Sequence, residues 1–157
     1  MNTKAYTYCL KLLSKRDYSV QKITQKLIAK GLEEAELQEV LENLEKENFL
    51  NPNRYLEQRV KSLSKKGFSS DYIQQKLRYE EIEISKEEVA LITKNLSIDV
   101  HNIIVKLLDK KLSEYINKKS DLTTHQLKSK AMMFLSSKGY DFYQAEDLLP
   151  TELSQQE

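Results

Sequence analysis

The sequence predicts an all-α protein built from tandem three-helix repeats that form a short, curved and elongated solenoid. Three Gly and two Pro among 157 residues leave few helix breakers, and Glu, Lys, Leu and Gln are good helix formers. A short pattern occurs three times, each copy followed at the same spacing by two more apolar residues, in Leu13–Ser19, Leu63–Ser69 and Leu135–Asp141. Such self-similarity indicates one supersecondary unit stacked several times. We therefore expect an extended binding surface rather than a single catalytic pocket.

The first repeat is predicted to cover residues 1–50. Its first helix carries apolar residues around Cys9 and Leu13, and Ser19 is a good N-cap for a second helix with Ile23 and Leu27. Gly31 is expected to end that helix in a left-handed conformation. The third helix is indicated by apolar residues at helical spacing, namely Leu37, Val40, Leu41 and Leu44.

The second repeat is predicted to cover residues 51–98. Asn51 and Pro52 form a strong helix start, because Asn caps well and Pro suits the first helical position. The middle helix carries Ile73 and Leu77 at the positions of Ile23 and Leu27. A third helix is predicted after residues 85–88, whose sequence Ser-Lys-Glu-Glu fits a capping box.

The third repeat, residues 99–150, is predicted to have an extra leading helix over Val100–Ile116. Thr123 and Gln126 form a second candidate capping box before a helix at Leu127–Ser137. Asp141 is expected to cap a final helix that ends at Pro150. Residues 151–157 are predicted to be a polar, frayed tail.

Charge alternates along the chain in step with the repeats. Residues 1–32 carry seven positive and one negative side chain, net +6, whereas residues 33–47 carry seven Glu and one Lys, net −6. The overall net charge of +1 excludes a uniformly basic surface. One interpretation is that neighbouring helices pair their opposite charges across the surface. The other is that basic and acidic stripes fix the register of a charged partner.

No catalytic or metal-binding pattern is present in the sequence. His101 and His125 lack partners at metal-ligand spacing, and no Gly-rich phosphate loop or Ser nucleophile motif occurs. The single Cys9 excludes an intrachain disulfide and is expected to be a buried packing residue. The sequence has one cysteine, no membrane-length apolar run and no apolar leader, which favours a cytoplasmic protein. We also expect no cofactor and no metal. Nothing requires an oligomer, so we expect a monomer.

The order and spacing of these motifs resemble the RecX family. The first repeat carries the family's Arg-x-x-Ser turn at Arg16 and Ser19, followed by Ile23, Lys26-Leu27 and Gly31. An aromatic-Leu-Asn stretch leading into Arg-aromatic is matched by residues 49–51 and by Arg54-Tyr55. The later repeats match through Lys66-Gly67, Ile73 and Leu77 and through Leu135, Lys138, Gly139 and Tyr140. The chain departs from the family at Pro52 and Asn53, and at Glu81, where a Gly is usual.

The resemblance implies a non-enzymatic regulator of the RecA recombinase that acts in DNA repair, recombination and the SOS response. Such proteins are expected to bind the groove of the RecA–DNA filament and to inhibit its recombinase, ATPase and coprotease activities. The filament, including DNA phosphates within it, is then the expected partner. We expect basic residues of the second repeat and of the helix at 127–138 to face it, namely Arg54, Arg59, Lys61, Lys65, Lys66, Lys76, Arg78, Lys128, Lys130 and Lys138.

Two other classes of function remain open from the sequence. A helical repeat protein that binds DNA directly would show high affinity for DNA alone, falling steeply with salt. A general helical scaffold would bind neither DNA nor the filament. For each basic residue the alternative is an ordinary surface charge.

Overall fold

The computed structural model describes residues 1–154, which form ten α-helices and no strand. The prediction of an all-α protein is therefore confirmed. The helices are α1 Thr3–Leu13, α2 Val20–Ile28, α3 Glu34–Lys46, α4 Pro52–Lys65, α5 Ser70–Tyr79, α6 Lys86–Asn95, α7 Val100–Lys118, α8 Thr124–Ser137, α9 Phe142–Leu148 and α10 Thr151–Ser154. The chain divides into two compact units, Met1–Arg59 and Val60–Glu157. No helix within residues 1–154 has both the length and the apolar character needed to cross a bilayer.

The first unit is organised around one apolar core supplied by α1, α2, α3 and the segment after α3. Cys9, Ile23 and Leu27 are fully buried there, as predicted for the cysteine. The Ser19 hydroxyl accepts a hydrogen bond from the Lys22 amide at 3.2 Å, which confirms Ser19 as the N-cap of α2. The rest of the core comes mainly from α3 and Leu50, namely Leu37, Val40, Leu41, Leu44 and Leu50.

The second unit contains the extra helix predicted before the third repeat. This helix, α7, packs against α8 and places Ile104, Leu108 and Leu112 in a core shared with α8, α9 and α10. Because these three residues recur at helical spacing, they lie on one face of α7. Helices α5 and α6 pack against each other in the same unit and bury Ile73, Leu77 and Val89.

The helix starts read from local sequence are confirmed. Complete capping boxes join Ser85 to Glu88 and Thr123 to Gln126. Asp141 caps α9, and the side chain of Gln144 completes a third box. Each box satisfies two backbone N–H groups that the helix itself leaves without a partner.

The predicted frayed tail is wrong for residues 151–154. The Pro150 carbonyl accepts hydrogen bonds from the amides of Leu153 and Ser154 at 2.9 and 3.1 Å, and α10 begins directly after Pro150. Leu153 is 6% exposed and belongs to the same core as α8. Pro ends the preceding helix but leaves its own carbonyl available to start the next one. The remainder of the predicted tail, residues 155–157, lies outside the described residues.

Most of the repeated apolar positions are buried in the structure. The two apolar residues that follow each copy of the pattern are all buried, namely Ile23, Leu27, Ile73, Leu77, Ala145 and Leu149. The leucines that open the second and third copies, Leu63 and Leu135, are buried too, whereas Leu13 is half-buried against the first core. The repeated pattern therefore identifies residues that pack in each of its three copies.

Candidate functional site

The second unit brings two copies of the repeated turn into direct contact. The Ser69 amide donates to the Lys138 carbonyl at 2.9 Å, and the Ser69 hydroxyl donates to the Gly139 carbonyl at 2.7 Å. In the opposite direction, the Tyr140 hydroxyl donates to the Gly67 carbonyl at 3.1 Å. These residues belong to equivalent seven-residue segments, and we call their contact the turn pair.

Lys138 is held inside the turn pair. Its ammonium donates to the Lys66 carbonyl at 2.9 Å and lies 4.5 Å from the Phe68 ring centroid. Partial burial, and then the nearby Lys66 charge, lower the pKa of Lys138. Phe68 in turn stacks on Tyr72, with centroids 4.2 Å apart. Among the predicted site residues, Lys138 thus has an intramolecular role that accounts for its position.

The aromatic residue of the repeated turn packs in all three copies. Tyr18 is 9% exposed and belongs to the first core. Phe68 stacks as described, and burial raises the pKa of Tyr140 to about 12. This position therefore has a packing contact in every copy of the turn.

The other basic residues predicted on α8 also have intramolecular contacts. Lys128 makes a half-buried ion pair with Glu146 of α9 at 3.0 Å. The Lys130 ammonium lies 4.8 Å from the ring centroid of Tyr115 on α7. Both contacts join helices of the same core. Contacts within the protein therefore explain the positions of these two lysines without a binding partner.

Four predicted residues of α4 and α5 are exposed. Lys65 ends α4, Lys66 follows it, and Lys76 and Arg78 lie in the last turn of α5. Cations at a helix C-terminus complement its partial negative charge. This interaction gives a structural explanation for Lys65, Lys76 and Arg78, which lie in the last turns of their helices. Lys61, one turn earlier on α4, is half-buried. We call Lys65, Lys66, Lys76 and Arg78 the exposed basic set.

Arg54 forms an internal clamp in the first unit. Its Nε and Nη2 atoms both lie 3.0 Å from Asp17 Oδ1. Its Nη1 and Nη2 also donate to the carbonyls of Asn48 and Phe49 at 3.4 and 3.2 Å. The guanidinium therefore joins the turn before α2 to the segment after α3, which is a structural role.

Arg59, the remaining predicted residue, lies on α4 at the edge of a small cleft. The cleft also contains Tyr55 of α4 together with Arg16, Tyr18 and Lys22 from the first repeated turn and α2. Sequence reasoning did not group these cations, because Arg16 and Arg59 are far apart along the chain. Among residues 1–154, no three His, Cys, Asp or Glu side chains come together to hold a metal ion.

Comparison with known proteins gives the class to which this fold belongs. Residues 5–44 match the domain described as RecX, first three-helix domain. The chain is 30% identical over 115 residues to the regulatory protein RecX of Mannheimia succiniciproducens, covering 73% of this chain and 74% of that protein. It is 27% identical over 149 residues to the regulatory protein RecX of Haemophilus influenzae strain PittEE, covering 95% of each.

Solved structures show the same fold. The crystal structure of RecX from Lactobacillus salivarius superposes with a TM-score of 0.71 at 18% identity, covering 96% of this chain and 95% of that one. A second crystal structure of a regulatory protein RecX has a TM-score of 0.70 at 20% identity, covering 93% of this chain and 71% of that one. The fold is thus the helical fold of the RecX crystal structures. The chain belongs to the RecX family.

Proposed function

We propose that this protein is a non-enzymatic regulator that binds the groove of the RecA–DNA filament. There it inhibits the recombinase, ATPase and coprotease activities of RecA. The proposal is supported by similarity to the regulatory protein RecX of Haemophilus influenzae, which extends over 95% of this chain and 95% of that protein. It also includes a cytoplasmic location and action as a monomer.

We propose that the exposed basic set contacts the filament. Lys65 and Lys66 are adjacent residues at the end of α4, and Lys76 and Arg78 lie at the end of α5 within the same unit. Exposed charges of one sign attract a partner of the opposite sign and speed its association with the protein. A filament groove that contains DNA phosphates would supply that charge.

The direct test is the rate of single-strand-DNA-dependent ATP hydrolysis by RecA while this protein is titrated in. We expect inhibition at amounts below one molecule per RecA monomer, because one bound regulator blocks filament growth for many subunits. An unchanged rate at every ratio would reject the proposed function.

The proposed surface is tested with a charge-reversal pair and a matched control. Lys65→Glu/Lys66→Glu changes the charge by the same amount as Lys106→Glu/Lys110→Glu, which reverses two exposed lysines on α7. We expect the first variant to lose inhibition and the second to keep it. Equal inhibition by both variants would reject the surface but leave the function standing. Arg54 is unsuitable for this test, because its reversal would break the clamp on Asp17.

Direct DNA binding is the second candidate function. It is favoured by the stacked rings of Phe68 and Tyr72, with the Lys138 ammonium 4.5 Å from the Phe68 ring centroid, since basic residues next to aromatic rings are typical of single-strand binding. Fluorescence anisotropy of a labelled oligothymidylate, without RecA and over a range of salt, separates the two candidates. Tight, salt-sensitive binding with no effect on RecA ATP hydrolysis would favour this second function.

A further inference from the structure

A small basic cleft lies beside the first repeated turn, within the first unit. Its volume is about 290 Å³, and its walls are Arg16, Asp17, Tyr18, Lys22, Tyr55 and Arg59. We propose that this cleft binds a phosphate oxyanion, either a phosphodiester of single-stranded nucleic acid or a free phosphate group. The proposal requires only this chain and does not depend on an interaction with RecA.

The charge balance of the cleft favours an anion. Arg16, Lys22 and Arg59 contribute three positive charges to its walls, and Asp17 contributes one negative charge. That carboxylate accepts two contacts from Arg54 at 3.0 Å. Because Arg54 compensates Asp17, the acid repels an incoming anion less than an unpaired carboxylate would.

Arg16 is positioned before any ligand arrives. Its guanidinium carbon lies 4.7 Å from the Tyr18 ring centroid, and Tyr18 itself is buried in the first core. A hydrogen bond from Arg16 lowers the pKa of the Tyr18 hydroxyl, in the direction expected for a positive local potential. A guanidinium whose rotamers are already restricted loses less entropy when it forms a forked contact with phosphate.

Lys22 adds a second cation at the start of α2. This helix has nine residues, with Ser19 as its N-cap and Lys22 in its first turn. The Ser19 hydroxyl already accepts from the Lys22 amide, so that N–H is not a donor for a ligand. The helix contributes instead through the partial positive charge of its N-terminal end, which adds to the charge of the Lys22 ammonium.

The size and composition of the cleft suit a phosphate better than a larger apolar ligand. Its volume of about 290 Å³ lies at the lower limit of typical small-molecule pockets. The apolar parts of its walls are the rings of Tyr18 and Tyr55.

The experiment is a titration of the full-length protein followed by amide NMR shifts and isothermal calorimetry. The two probes are pyrophosphate and a short oligothymidylate. Arg16→Gln and Lys22→Gln each remove one cation of the cleft, and Lys46→Gln removes an exposed cation of α3 as the matched control. Circular dichroism checks that each variant is folded, and Lys22→Gln remains informative if Arg16→Gln weakens the fold.

We expect the amides of residues 16–22 to shift with either probe, and each cleft variant to lower the affinity about tenfold. Binding of pyrophosphate identifies a free phosphate group as sufficient, and binding of the oligonucleotide alone identifies a phosphodiester chain as the source. For the oligonucleotide, each cleft variant should also reduce the salt slope by about 1. Binding of neither probe, or equal losses in Lys46→Gln and the cleft variants, would overturn the proposal whether or not RecA is inhibited.

Discussion

Gly139→Ala tests whether the turn pair is as closely packed as the structure indicates. Gly139 has φ +89°, and a Cβ at this position would lie 2.5 Å from Tyr72 Cβ and 2.6 Å from Ser69 Oγ. The same Ser69 hydroxyl donates to the Gly139 carbonyl and caps α5. An added methyl group would therefore push apart the two turns and disturb the start of α5.

Gly31→Ala is the matched control, because it has the same backbone requirement without the crowding. Gly31 has φ +81°, and nothing lies within 4 Å of the Cβ that Ala would add. A left-handed conformation costs an L-residue roughly 1–2 kcal/mol. Forcing extra atoms into a packed site adds about 1–3 kcal/mol. We therefore expect losses of about 1–2 kcal/mol for Gly31→Ala and about 2–5 kcal/mol for Gly139→Ala.

Native-state hydrogen exchange measures these losses in each unit separately, and thermal melts give the global effect. At about 2–4 °C per kcal/mol for a chain of this size, Gly139→Ala should lower Tm by about 4–20 °C and Gly31→Ala by about 2–8 °C. In exchange, the amides of α5 should lose protection in Gly139→Ala, whereas those of α2 should lose it in Gly31→Ala. A loss in Gly139→Ala no greater than in Gly31→Ala would refute the close contact of Gly139 with Ser69 and Tyr72.

Three further predictions concern single side chains. Glu81 has φ +61°, so Glu81→Gly should stabilise the protein by up to about 1 kcal/mol in urea melts; an unchanged or lower midpoint would contradict this. The Tyr6 hydroxyl donates to the Glu47 carboxylate at 2.5 Å, a contact that raises the pKa of Tyr6 to about 12. The hydrogen bond should stabilise the protein fully below pH 10, and this stabilisation should be lost as the pH rises towards 12. Thermal melts of Tyr6→Phe should not show this loss. The Lys66 charge adds to burial in lowering the pKa of Lys138, so Lys66→Gln should raise the pKa of Lys138 in an NMR titration. In the wild type, a lowered pKa makes the protein more stable as the pH rises through it, because the unfolded chain then holds the proton more tightly. Lys66→Gln should reduce this gain in stability. An unmoved Lys138 titration would show that the two charges do not interact.

Local sequence signals predicted the helices well because their causes lie within a few residues. The capping boxes at Ser85 and Thr123 need only the residue three positions later, and both are complete in the structure. The predicted helix over Val100–Ile116 also depends on local sequence, since Ile104 and Leu108 recur at helical spacing, and both are buried. Helix α10 was missed because four residues are too few for a period, and because Pro150 indicates a helix end more strongly than a helix start.

The candidate site was less predictable because it depends on contacts between distant residues. Arg54 was selected as a surface cation, but its partner Asp17 lies 37 positions earlier in the chain. Lys138 was selected for the same reason, and its ammonium contacts the carbonyl of Lys66, 72 positions away. Composition reveals that a cation is present, whereas only the fold shows which intramolecular acceptor or ring it meets. The repeat boundaries and the contact surface for RecA stay predictions.

One signal in the sequence did anticipate the different uses of the repeated turn. The second and third copies have Gly67 and Gly139 where the first copy has Asp17. Gly139 adopts a positive φ and allows a backbone approach that a Cβ would block, so these two copies can form the turn pair. Asp17 keeps a negative φ and offers a carboxylate, which Arg54 clamps. Because that clamp fixes the first turn, Arg16 and Lys22 remain beside the cleft and face a compensated acid. A single position of the repeat thus distinguishes a turn that packs on its own copy from a turn that presents cations to a ligand.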